Sequence, residues 1–289
     1  MNAAPDAGDG PLAMICGGGS LPVAVADSVT RRGRQVVLFP LHGAAEGGAF
    51  APFIHHWVYV GQIGKVMRLA RAAGCHDVVF IGALVRPSLW QVRTDLKGLM
   101  VLPRVIAAFR GGDNHLLSGM GKLFEQDGFR MRGAHEVAPE ILVPAGTLGR
   151  TAPAERDRAD IATGFGFLRA ASPFDVGQAV VVAGNHVLAV EAAEGTDHML
   201  SRVAEMRAAG RIKASRGAGV LVKAPKRGQD LRFDMPSIGP QTVEGVARAG
   251  LAGIAVVAGQ TIIAEPERVV MTADRADIFV LGADAGTSS

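Results

Sequence analysis

The sequence predicts an α/β protein of two domains, the first a doubly wound, Rossmann-like parallel sheet and the second a mixed α/β unit. Three observations carry that prediction. The chain has 289 residues, of which 48% are hydrophobic, enough for two compact cores. Short apolar runs alternate with segments of helical periodicity through most of its length, and short connections between them imply a mostly parallel sheet. A stretch rich in Pro and Gly (Pro139, Pro144, Gly146, Gly149, Pro153) interrupts the pattern near the middle. It places the boundary at about residue 140, with domains over 12–140 and 141–289.

In the first half, LAMIC at 12–16 reads as a strand running into Gly17-Gly18-Gly19-Ser20-Leu21-Pro22, and a helix follows over 21–31. VVLF at 36–39 is a second strand, and a third is expected at 57–60. Ile63, Val66, Met67 and Ala70 share one face of a helix over 63–73. VVFIGA at 78–83 is a buried strand, and 89–110 read as helical with a break at Pro103. Asp113-Asn114 offers an N-cap for a helix over 115–126, and one short strand is expected near 141–143.

The second half opens with a helix over 155–170. QAVVVA and VLAVEA then make a hairpin through Gly184-Asn185, a dipeptide that accepts positive φ at both turn positions. A helix at 197–209, a strand at 219–224, a helix at 241–250, a strand at 253–257, a helix near 267–273 and a strand at 277–281 complete the series.

Composition excludes several classes. Cys16 and Cys75 are the only cysteines, which rules out a disulfide scaffold or a Cys-rich zinc module and fits a reducing cytoplasm. No apolar run is long enough to span a bilayer, and the first residues read as a short tail without the pattern of a secretory signal. A formal charge of +3 with 5% aromatics argues against a nucleic-acid partner. The charge is uneven, with eight cations and one acid between Arg207 and Arg232. That run is either a solvated basic face or a site for an anionic ligand or membrane surface.

Four motifs are candidates for chemistry. A strand, glycines and a helix form the Rossmann-like arrangement in which backbone N–H groups meet a phosphate. Here Pro22 stands where a third glycine belongs and no carboxylate ends the second strand, so a dinucleotide is not expected. Gly18, Gly19 and Ser20 remain candidates for a phosphate, against a plain tight turn. Asp113-x-His115 and Gly184-Asn185-His186 look like fragments of a dinuclear phosphoesterase, but its bridging motifs are missing.

Asp230-Leu231-Arg232-Phe233-Asp234 alternates as an extended strand would, with Asp230, Arg232 and Asp234 on one side. Carboxylates on that side could hold hydrated Mg²⁺, and the arginine between them a phosphate oxygen. The alternative is an exposed edge strand with an ion pair. Thr242 is placed to cap the following helix or to touch an anion. Glu191 to Asp197 (EAAEGTD) offers Thr196 as an N-cap and Asp197 to the helix dipole, or presents carboxylates and helix N–H groups to a metal–phosphate site flanked by Lys223 and Lys226. An acid pair beside a cation set favours an enzyme over a module that only binds.

The strings GGGSLP, GDNHLL (Gly112–Leu117), EAAEGTD and GVLVKAPKRGQDLRFDMPSIGPQTV together resemble the LpxI family, the UDP-2,3-diacylglucosamine pyrophosphatases of lipid A synthesis in Gram-negative bacteria. The resemblance spans nearly the whole chain beyond residue 11. It implies a Mg²⁺-dependent hydrolase, with Mn²⁺ as an alternative, and a ligand cleft between its domains. The N-terminal domain would bind part of the substrate and the C-terminal domain carry the chemistry. Water would attack the phosphate next to the sugar, giving UMP and 2,3-diacylglucosamine 1-phosphate.

The important aspartate of the family corresponds to Asp234. Asp230 and Asp197 are the further catalytic candidates, and Asp234, Asp230 and Glu191 the metal candidates. Gly18, Gly19, Ser20, Asp113, Asn114, Thr196, Lys223, Lys226, Arg232 and Thr242 are the substrate-binding candidates. A diacylated substrate implies peripheral attachment at the cytoplasmic face of the inner membrane, and a homodimer is compatible. Leu84-Val85, Leu89-Trp90 and Leu99–Leu102 are candidates for an apolar groove.

Overall fold

The computed structural model describes residues 10–83, 95 and 113–284, and these fall into two compact units. The first comprises Met1–Pro139 together with Asp230–Asp234, the second Glu140–Gln229 together with Met235–Ser289.

The first unit is built on β1 (Leu12–Cys16), α1 (Leu21–Arg31), β2 (Val36–Pro40), α2 (Ile63–Ala72), β3 (Asp77–Ile81), α3 (Asp113–Gln126), β4 (Arg130–Arg132) and a short α4 (Ala134–Val137). Its four strands are all parallel, in the order β2-β1-β3-β4. β1 therefore lies between β2 and β3, and the chain reverses direction across the sheet at its carboxyl end, where open α/β sheets hold ligands. Ala13, Val37, Phe39 and Val78 bury one face against Ile63, Val66, Met67 and Ala70 of α2 and Phe124 of α3. Asp77, at the start of β3, accepts from Arg34 Nη2 at 2.6 Å and Arg130 Nε at 2.8 Å, tying the sheet's opposite edge. Burial opposes ionisation of Asp77, but the two guanidinium bonds outweigh it and hold the carboxyl below its ordinary range.

Differences from expectation are local. Residues 57–60 form no strand; single bridges, Leu38 to His55 and Leu41 to Val58, hold that segment beside β2. Asp113 and Asn114 lie inside the first turn of α3 rather than before it. β4 was not expected, being only three residues long. The expected helix at 89–110 and the groove candidates between Leu84 and Leu102 lie outside the described residues.

The second unit contains β5 (Gly146–Leu148), α5 (Glu155–Ala171), β6 (Ala179–Ala183), β7 (His186–Val190), α6 (Gly195–Ala208), β8 (Val220–Lys223), β9 (Ser237–Ile238), α7 (Pro240–Arg248), β10 (Gly253–Val257), β11 (Ile262–Ile263), α8 (Pro266–Arg275) and β12 (Phe279–Ala283). Six strands form one mixed sheet, β5-β12-β10-β8-β6-β7, parallel across β12, β10 and β8 and antiparallel toward both edges. Period-two alternation divides its side chains between two layers. Val181, Leu221, Ile254 and Val280 face α6, α7 and α8 through Leu200, Val243, Val246 and Val269. Val180, Val222, Val257 and Phe279 face α5 through Ile161 and Phe165.

The hairpin forms as the sequence predicts, with Gly184 and Asn185 at φ 59° and 61°. Asp160 of α5 accepts both turn amides, Gly184 N at 3.1 Å and Asn185 N at 2.7 Å. Asn185 thus serves the turn that the sequence assigns to it. The strand expected near 141–143 is replaced by a one-turn 3₁₀ helix, Pro139–Ile141, and a bridge from Leu142 to Ile262; β5 comes three residues later.

Candidate functional site

Each unit carries one polar cluster assembled from sequence-predicted residues, and the clusters differ in kind.

In the first unit, residues 230–234 are not an extended strand. Asp230 Oδ1 accepts Arg232 N at 3.1 Å, and the Asp230 carbonyl accepts Phe233 N at 3.0 Å and Asp234 N at 3.2 Å. The aspartate thereby starts a single helical turn, as a short acceptor side chain at an N-cap does. Phe233 anchors that turn. Its ring lies against Gly121 of α3, where an added Cβ would overlap it, and 5.8 Å from the ring of Phe80.

Arg232 is held on both sides. Its Nη2 reaches Asp230 Oδ2 at 2.7 Å and its Nη1 reaches Glu125 Oε1 at 2.9 Å, and its guanidinium lies 5.2 Å from the Phe233 ring centroid. The guanidinium bonds keep Asp230 below the usual carboxylate range, while the same carboxylate pushes Arg232 upward. Asp230 is thus a fixed anion. Asp234 closes the turn, one backbone hydrogen bond from Asp230.

In the second unit, Glu191 follows β7, Thr196 stands in the first turn of α6 and Lys223 ends β8. Thr196 does not cap its helix; that position falls to Glu194. The Thr196 hydroxyl instead donates to Glu191 Oε1 at 2.6 Å and accepts from Lys223 Nζ at 2.9 Å. Glu191 Oε2 accepts Gln178 N at 2.7 Å, and Lys223 also donates to the Ser237 carbonyl at 3.0 Å. Glu191 and Lys223 are 8% and 7% exposed, so this is a buried chain with matched donors and acceptors. Both oxygens of Glu191, a metal candidate by sequence, are engaged within the protein.

The remaining candidates scatter. Asp197 is exposed on the first turn of α6, where it suits the helix dipole. Lys226 pairs with Asp175 at 2.6 Å. Thr242 Oγ1 accepts Gly239 N at 3.3 Å, so its capping alternative is the one realised. The basic run has several jobs. Arg207 donates to the carbonyls of Ala249, Ala214, Ser215 and Ala218 and so stitches loops, a role invisible in a count of charges.

The glycine turn is also partly committed. Gly17 N donates to Ile81 O and Gly18 N to Ala83 O, both at 2.8 Å, so these amides extend the pairing of β1 with β3 and do not face a ligand. A Cβ on Gly18 would lie 2.7 Å from the Ala44 carbonyl, so close backbone approach requires glycine there. Gly19, at φ 88°, and Ser20 are the exposed part of the turn, leading into α1. Asp113 and Asn114 are placed by backbone alone, at the start of α3. Among the described residues no three His, Cys, Asp or Glu side chains converge as a preformed metal cage.

Comparison with known proteins places these features. The LpxI N-terminal domain family matches residues 11–141 and the LpxI C-terminal domain family matches residues 144–281. The chain belongs to the LpxI family. A curated LpxI relative from Caulobacter vibrioides, named UDP-2,3-diacylglucosamine pyrophosphatase LpxI, is 42% identical over 277 residues, covering 94% of this chain and 97% of the relative. A solved structure, the holo form of a GalE-like L-threonine dehydrogenase from Cupriavidus necator, aligns over 96% of this chain and 92% of its own. Its identity is 11% and its TM-score 0.30, and that likeness carries no argument. Among the described residues of this LpxI chain, no helix is long and apolar enough to cross a membrane.

Proposed function

We propose that the chain hydrolyses the pyrophosphate of UDP-2,3-diacylglucosamine in lipid A biosynthesis, releasing UMP and 2,3-diacylglucosamine 1-phosphate, with Mg²⁺ as cofactor and Mn²⁺ as substitute. The observation that carries this reading is the 42% identity, over nearly the full length of both chains, to the relative named for that activity.

The chemistry suits the residues at hand. Water adds to the phosphorus that bears the sugar, the bridging P–O bond breaks, and UMP leaves with the bridging oxygen. The barrier lies in charge that builds on phosphoryl oxygens and in positioning the water, so anchored carboxylates and fixed cations are the useful groups. Asp234 is the carboxylate we assign to the reacting centre, either taking the water's proton or holding the metal. Asp230, tied to Arg232, and Glu191, tied to Gln178 and Thr196, act as positioning residues.

Mg²⁺ keeps waters and takes one or two protein carboxylates plus phosphate oxygens, so it needs no protein cage. A turn ending in Asp234 fits that requirement, and Asp234 would hold the ion, with Asp230 fixing the turn that carries it. When bound, it would neutralise charge on the pyrophosphate.

A diacylated substrate requires contact with a lipid surface, and we place the enzyme peripherally at the cytoplasmic face of the inner membrane. Phe174 supports this. It ends a one-turn 3₁₀ helix and is 80% exposed, and its neighbours bond the basic segment, Asp175 accepting from Lys226 Nζ at 2.6 Å and Ser172 Oγ from Arg227 N at 2.7 Å. An exposed aromatic flanked by cations suits an anionic bilayer.

The test is incubation with the UDP-linked diacyl sugar and Mg²⁺ in H₂¹⁸O. UMP should form, with ¹⁸O in the lipid phosphate. EDTA should abolish turnover and Mg²⁺ or Mn²⁺ restore it. No UMP from the intact substrate refutes the function, and full activity after chelation refutes the metal.

A further inference from the structure

The only tyrosine of the chain and one of its two tryptophans converge on an exposed histidine in the first unit. His42 stacks on Tyr59 with ring centroids 4.3 Å apart and planes inclined by 27°. Trp57 lies 5.1 Å from His42 and meets buried Phe50 edge-on at 6.1 Å, which anchors it from below. Trp57 and Tyr59 alternate on the extended segment beside β2, so they share a face. Hydrogen bonds fix their backbone. His42 N donates to Val58 O at 2.9 Å, Lys65 Nζ to Trp57 O at 3.0 Å, and Tyr59 N to Gln62 Oε1 at 3.1 Å.

The cluster differs from the other aromatic contacts of the unit. Phe80, Phe124 and Phe129 stack in or against the core, whereas these three rings with polar edges are exposed or half-buried. Its location is informative as well. In βαβ nucleotide sites the phosphate rests on the turn after the first strand, and the nucleoside half lies at the end of the second. Here the turn after β1 and the turn after β2 are joined: Leu41 N donates to Cys16 O at 2.9 Å, and Gly18 packs on the Ala44 carbonyl. Where a dinucleotide site carries a carboxylate for the ribose, this chain carries an aromatic surface.

We propose that His42, Tyr59 and Trp57 form the platform for the uracil base, with the exposed Gly19–Ser20 turn receiving the adjoining phosphate. The assignment rests on the function proposed above and adds the residues that select the nucleotide. Uracil offers a π-face for stacking and an edge with one N–H donor between two carbonyl acceptors. The His42 ring nitrogens pair with no described residue, and an imidazole can donate or accept. Base–aromatic stacking of this kind contributes measurably to affinity in sites that hold unpaired bases, because every base offers a π-face.

The test is calorimetric titration of the full chain with UMP and, separately, with ribose 5-phosphate, which keeps the phosphate and removes the base. Wild type should bind UMP more tightly than ribose 5-phosphate. His42→Ala and Tyr59→Leu should each weaken UMP by about 5- to 100-fold and move ribose 5-phosphate by less than about twofold, with unchanged circular dichroism. Equal binding of the two probes by wild type, or unaltered UMP affinity in both variants, overturns the platform. Turnover of the lipid substrate, measured on the same wild-type preparation, tests the function separately. Its absence would overturn the function and leave the binding result standing.

Discussion

The turn at 230–234 and the buried chain Glu191–Thr196–Lys223 hold charged side chains by opposite means. In the buried chain each link is a side chain inside the protein, and the geometry is set by matching donors to acceptors. The turn sits at partial exposure and is set from its flanks, by Arg232 between two carboxylates and by Phe233 against Gly121. A closed network favours one rigid arrangement, because any broken link leaves a buried polar group without its partner. An anchored turn can present a carboxylate beyond its anchors. On the proposed function, the buried chain supplies support and the anchored turn supplies the chemistry.

That contrast can be broken most directly at Asp234. Asp234→Asn keeps the size and removes the charge, and turnover should fall by about 10²–10⁴ while the melting temperature holds. Near-normal turnover in a folded variant would move the chemistry elsewhere. Glu191→Gln should do the reverse. It weakens two bonds of a buried network, so urea unfolding should show a loss of about 1–3 kcal/mol, with any change in turnover secondary. A neutral result would mean that the network is not structural.

Gly121→Ala sharpens the account of the turn. Alanine favours the helix by roughly 1 kcal/mol, but its Cβ meets the Phe233 ring. A drop of about tenfold in kcat is expected from a misplaced carboxylate, against little change in stability. Phe233→Leu in the same background should restore part of it.

The smallest effect is electrostatic. Arg232 depresses the Asp230 pKa, so this pair's stabilisation is complete above the ordinary Asp value of about 3.9 and disappears as pH falls through the lowered folded value. With both side chains about one-third exposed, the contribution should not exceed about 1 kcal/mol. Asp230→Asn should flatten that acid limb of a stability–pH curve by the same small amount. An unchanged limb would show that the pair contributes nothing.

The sequence made most of both sheets legible because their strands and helices are long and periodic, and the Gly184-Asn185 hairpin because its φ values restrict the residues allowed. Strands β4, β9 and β11, at two or three residues, are too short to show a period. The turn at 230–234 departs from its strand pattern for a related reason. Five alternating residues fit an extended strand, but an Asp that bonds its own backbone and a Phe with a glycine notch to fill override so short a pattern. Residue types also overstated the glycine turn. Gly17 and Gly18 are there for close approach to β3 and the Ala44 carbonyl, a need that chain order does not reveal. The aromatic cluster leaves no signal in the sequence, because His42 and Trp57 are distant along the chain and join only across a strand edge.

Residues 230–234 fold with the first unit although their neighbours on both sides belong to the second. The polypeptide therefore passes from one unit to the other three times, and no single cut separates it into two whole pieces. A fragment ending at Pro139 would carry Phe80, Gly121 and Glu125 without the Phe233 and Arg232 that they hold. The complementary fragment would carry Asp230 to Asp234 as a loose loop. Split or truncated versions of this protein should therefore behave as two incomplete halves, and regain the turn only when supplied together or with a peptide spanning it.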